Sequence, residues 1–65
     1  MQKTYDVTTR GGSVLRVYPT TGELIRRSPR KPLVRSYLVE VLTPGGVMVG
    51  SERMTHHDIV GLRSA

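Results

Sequence analysis

The chain has 65 residues, ten Lys and Arg against five Asp and Glu, a formal net charge of +5, and no Cys, Trp or Phe. These figures leave room for one small domain, residues 1–65, and exclude a disulfide-stapled scaffold and a cysteine-based zinc site. The core must come from Val, Leu, Ile, Met and three Tyr. A chain this short buries only about 60% of the surface its unfolded form exposes. Such a core is either very well idealised or shared with another copy, so a homo-oligomer is expected.

The N-terminal stretch MQKTYDVTTR is polar and lacks the apolar region of a secretory signal, and no apolar run reaches the roughly 18 residues of a membrane span. A cytoplasmic protein that does not enter membranes is expected. KTYDVTT alternates with period two, placing Tyr5 and Val7 on one face of a strand. Gly11 and Gly12 follow. Two glycines between strand-like runs suggest a two-residue type I′ hairpin, with positive φ at both. SVLRVY then puts Leu15 and Val17 on one face, with Arg16 and Tyr18 on the other.

YPTTGELI reads as a second tight turn, with Pro19 presetting φ and Gly22 in the left-handed position. ELIRRS would be the returning strand, a charged edge. SPRKP, with Pro29 and Pro32, is a stiff connection. LVRSYLVEVL is the strongest strand: Tyr37, Val39 and Val41 share one face, Leu38 and Leu42 the other. Apolar residues on both faces suit a central or interface strand. TPGG fits a type II turn with Gly45 at its third position, and VMVGSER returns as the last strand. In the tail, Thr55 and Asp58 have capping-box spacing, and Ile59 and Leu62 share one helical face, so a helix of one to two turns is expected. The sum is mainly β: a small antiparallel barrel or bent sheet, SH3-like, of about five short strands with a short C-terminal helix.

Five of the ten basic residues, Arg26, Arg27, Arg30, Lys31 and Arg35, fall between Glu23 and Glu40 with no acid among them. Arg matches phosphate with a planar fork. Held at a sheet rim, these side chains suit a phosphate backbone, and each neutralised phosphate makes binding salt-dependent. Arg16 lies on the strand expected to pair with the Arg26 strand, and Tyr18 offers a stacking surface. The plain alternative is a solvated, aggregation-resistant edge.

Other features are weaker. His56 and His57 are adjacent, and adjacent helical residues point about 100° apart, so no metal site is expected. An orienting acid and a shaped pocket are missing around the available hydroxyls, so no catalytic residue and no cofactor is expected. The glycine-rich stretches precede strands, unlike phosphate-cradling loops. Leu38, Leu42 and Met48 are candidates for contact with a partner or a second copy. Two functions compete. One is a small non-enzymatic nucleic-acid-binding regulator, DNA- or RNA-binding. The other is a protein-binding adaptor or inhibitor docking on an acidic surface. Either would suit a short phage- or plasmid-encoded chain.

Overall fold

The computed structural model describes residues 3–64. The elements are β1 (Tyr5–Thr8), β2 (Val14–Ile25), β3 (Val34–Leu42), β4 (Met48–Thr55) and α1 (His56–Leu62). The fold is mainly β, one antiparallel sheet in the order β1-β2-β3-β4 with a short C-terminal helix. β1 and β4 do not pair, so the sheet stays open rather than closing into a barrel.

Pairing sorts the side chains into two faces, because residues directly opposite in an antiparallel ladder point the same way. Val7 lies opposite Leu15, Leu15 opposite Val41, and Val17 opposite Val39. Tyr37 lies opposite Met54. This is the helix face. Leu15, Val17, Val39 and Met54 form the core there with Ile59 of α1, and Val7, Tyr37 and Val41 pack at its margin. Val39 is fully buried, so the strand expected to be central is the centre of both sheet and core.

Each hairpin turn departs from the expected type in the same way. In the β1–β2 loop, the Gly12 N–H donates to the Thr9 carbonyl at 3.0 Å, and the Thr9 N–H donates to the Ser13 carbonyl at 2.9 Å. Gly12 has φ +87°, whereas Gly11 is not left-handed. The β3–β4 loop repeats the pattern: Gly46 donates to Thr43 at 2.9 Å, Thr43 to Val47 at 2.8 Å, and Gly46 has φ +91°. Both are three-residue loops, a turn followed by one left-handed glycine, which bridges the strands without positive φ at two successive positions. The expected type I′ turn at Gly11–Gly12 and type II turn at Gly45 are therefore corrected.

The larger correction concerns Pro19 to Gly22. These residues do not reverse the chain. They bulge within one long strand, between the pairs Tyr18–Leu38 and Glu23–Ser36. Pro19 has no N–H for the ladder. Thr21 compensates: its hydroxyl donates to the Tyr18 carbonyl at 2.6 Å and accepts the Leu38 N–H at 2.8 Å. Gly22 is needed for space and is not left-handed; a β-carbon there would meet Arg35 Cδ at 3.0 Å and Tyr37 Cε1 at 3.1 Å. The first half of the expected separate strand ELIRRS, Glu23 to Ile25, thus becomes the end of β2, the rest joins the connection to β3, and the sheet has four strands where about five were expected.

The helix follows β4 directly. Thr55 is its N-cap and the capping box is complete: the Thr55 hydroxyl accepts the Asp58 N–H at 3.2 Å, and the Asp58 carboxylate accepts the Thr55 N–H at 3.1 Å. Ile59 plugs the core, while Leu62 remains 45% exposed. Beyond α1 the tail returns to the first strand. Arg63 bridges to Thr9, and the Ser64 N–H donates to the Thr8 carbonyl at 2.9 Å.

Candidate nucleic-acid interface

The fold gathers the basic stretch at one end of the sheet. Arg26 to Leu33 connect β2 to β3, and Arg35 stands on the second residue of β3. Arg26, Arg27, Arg30, Lys31 and Arg35 are all exposed. A turn from Ser28 to Lys31 holds the loop, the Lys31 N–H donating to the Ser28 carbonyl at 3.0 Å with Pro29 at the turn's second position. Arg26 reaches back across it and donates to the Lys31 carbonyl at 2.9 Å.

Arg27 has a different role. Its guanidinium pairs with the Asp58 carboxylate and so latches the loop to the first turn of α1. The Asp58 carboxyl is held below its ordinary pKa, first by the Thr55 backbone N–H and then by Arg27, against an opposing contribution from partial burial. Among the described residues, the side chains of Arg30, Lys31 and Arg35 make no hydrogen bond or ion pair. They are the cations left for a ligand. Loop and helix enclose an open cleft of about 380 Å³, lined by Arg27, Lys31, Pro32, Val34, Thr55, His57 and Asp58.

Two expected members lie elsewhere. Arg16 is the third residue of β2, on the sheet face opposite the helix, directly across from Asp6 and Glu40. Its Nε donates to Asp6 at 3.1 Å, and that hydrogen bond and charge keep the guanidinium protonated beyond its already high pKa. Tyr18, on the same face, donates its hydroxyl to Glu40, the diagonal neighbour across the strand pair. That bond, with desolvation second, raises the phenol pKa. The expectation that Arg16 and Tyr18 extend the basic patch rested on a separate Arg26 strand alongside; with one bulged strand, they sit mid-sheet in a charge-balanced row.

Sequence reasoning missed Arg53. It lies opposite Leu38 near the basic end. Its Nε donates to the Ser36 hydroxyl at 3.0 Å, and its Nη2 donates to the Ser36 carbonyl at 2.9 Å and to the Thr21 carbonyl. Ser36 is fully buried, so Arg53 is the clasp between β4 and the β2 bulge. Period-two alternation across the hairpin from Leu38 would have put Arg53 on that face, but only the register shows the clasp.

The apolar candidates separate. Leu42 is buried within the chain's own fold, where the hairpin loops converge around Gly12 and Pro44. Leu38 is half-buried, and Met48 is exposed beside Val47 and Val49. Among the described residues, no three His, Asp or Glu side chains come together as a metal site would need, and no helix is long and apolar enough to cross a membrane. Comparison with protein-family models, curated proteins and solved structures finds no match to the chain.

Proposed function

We propose that the chain is a small non-enzymatic module that binds nucleic acid through the basic end of its sheet. The observation that carries this reading is the convergence of Arg26, Arg30, Lys31 and Arg35 on one end of the sheet, exposed, with the one acid of the adjoining helix, Asp58, already taken by Arg27. Three of these cations, Arg30, Lys31 and Arg35, lack protein partners among the described residues, and on a braced loop and strand end they give a phosphate-binding rim whose ordering cost has largely been met before the ligand arrives. In this reading the architecture is a variant of the SH3-like plan, with α1 and the tail covering the end that a fifth strand would close. Arg16 and Tyr18 hold the sheet together instead of touching the ligand.

Fluorescence anisotropy with labelled single-stranded DNA, duplex DNA and RNA over a salt series tests it. Binding should weaken with salt on a log–log slope of about −3 to −4, as expected for four or so phosphates. The triple substitution Arg30→Ala, Lys31→Ala, Arg35→Ala should flatten that slope by about 2 to 3 units and weaken all sequences alike. Unchanged binding in the triple variant refutes the assignment. No binding by the native protein at low salt would turn the same rim toward an acidic protein surface, the competing reading.

A further inference from the structure

The sheet has two edges, and the fold treats them differently. β1 has four residues, and the returning tail covers its end through the Thr9–Arg63 bridge and the Ser64–Thr8 hydrogen bond. β4 has eight residues and pairs only with β3. Free edges in soluble proteins are usually guarded by charged residues, Lys above all, by Pro, by bulges or by a covering element. β4 contains no Lys and no Pro, and its charges, Glu52 and Arg53, are confined to its second half. Its one irregularity is a bulge: Val41 pairs with Gly50 and Leu42 with Met48, leaving Val49 unpaired. Around that bulge Val47, Met48 and Val49 are 63%, 56% and 65% exposed, three consecutive apolar residues in water.

We infer that the β4 edge is the docking surface for a second copy of this chain, joined antiparallel about a two-fold axis at Ser51. Surface area supports a second copy as the occupant. The chain exposes 4754 Å². A compact monomer of 7.2 kDa exposes roughly 4100 Å². The excess, about 600 Å², is most of the roughly 800 Å² that each partner gives to a standard interface. The molecule is also flat, 39 × 29 × 19 Å, the shape of a sheet that stops early.

Charge fits the same axis. Antiparallel pairing with the faces kept in common requires partners whose numbers differ by an even count. Centring on Ser51 places Gly50 opposite Glu52 of the second copy and Val49 opposite its Arg53. Centring on Gly50 would set Met48 level with Glu52, but the bulge at Val49 puts those two on opposite faces, so that register is closed. The Ser51 register sets small or apolar residues against the stems of the charged ones. Centring on Glu52 or Arg53 would set like charges face to face, which is destabilising. The strand's own sequence thus selects the Ser51 axis, and that axis brings the apolar trio of one copy alongside the second half of β4 of the other. The interface does not depend on nucleic-acid binding, and it leaves the basic loop free.

The native chain is free of Cys, so one introduced thiol reports self-contact. Ser51→Cys should oxidise rapidly to a covalent dimer, because the axis sets residue 51 near its own image. Thr20→Cys, exposed in the β2 bulge, should not. Light scattering and sedimentation of the native protein over a micromolar-to-millimolar series should give a mass rising toward twice 7.2 kDa, with amide-exchange protection of residues 50–53 appearing as dimer forms. Val49→Lys should return the mass to that of the monomer with an unchanged circular-dichroism spectrum. A strictly monomeric protein across the series overturns the inference. So does a dimer in which residues 50–53 exchange freely, or in which the two thiols cross-link at equal rates.

Discussion

Asp58 is the residue at which stability and binding should respond in opposite directions. Its carboxylate accepts the Thr55 N–H at 3.1 Å, completes the cap of α1 and pairs with Arg27 of the basic loop. Asp58→Ala removes half of a capping box, about 1 kcal/mol. It also removes an ion pair with one half-exposed partner, which solvent screening limits to about 0.5–1 kcal/mol. The sum, about 1.5–2 kcal/mol, is large against the about 3–10 kcal/mol expected for a domain of this size. At about 4–8 °C per kcal/mol, Tm should fall by about 6–16 °C. Asp58→Asn, which keeps the shape of the side chain, should cost less. A carboxyl held below its ordinary value stabilises the fold fully above the unfolded value near pH 4, and the effect is lost as pH falls through the lower folded value. The difference between native and Asp58→Asn should therefore be constant near neutrality and vanish in strong acid. Thermal melts followed by circular dichroism across this range read both quantities. Anisotropy on the same variants should show tighter phosphate binding, since Arg27 is released. A Tm shift under about 2 °C for Asp58→Ala would refute both the cap and the latch, because the cap alone should exceed that.

Two further substitutions test how the sheet is held. Thr21→Val deletes the hydroxyl that bridges the β2 bulge, leaving the Leu38 N–H unpaired, and should cost about 1–3 kcal/mol by urea denaturation with an unchanged m-value. Val39→Ala opens a void at the fully buried centre of the core and should cost about 2 kcal/mol or more in the same assay.

Much of this fold is legible in the sequence because its signals are local. Period-two alternation gave the core positions Leu15, Val17, Tyr37, Val39 and Val41. The spacing of Thr55 and Asp58 gave the helix start. The glycines marked both hairpins, though whether one or two residues turn left-handed depends on strand twist outside the turn itself. Pro19 to Gly22 has turn composition, yet it bulges. A bulge and a turn use the same residues, and only the Thr21 bridge to Leu38 and the crowding of Gly22 by Arg35 and Tyr37 distinguish them. The candidate site was legible as a cluster of five cations on a strand and loop. Its internal division was not. Arg27 is a structural latch because a helix far along the chain supplies Asp58, and Arg16 is paired because the register sets Asp6 directly across from it. Charge pairing follows register, and register is a property of two segments at once.

The return of the tail to β1 has a kinetic consequence. Every strand in this sheet pairs with its neighbour in sequence, so the meander can assemble hairpin by hairpin, each within about 1–10 μs. The contacts of Arg63 with Thr9 and of Ser64 with Thr8 instead join opposite ends of the chain, so closing them costs the entropy of the whole intervening loop. Until the tail docks, the end of β1 is uncovered as well as the β4 edge. With β4 pairing copies as inferred above, the tail would set the difference between a molecule that pairs once and stops and one that goes on adding copies without end.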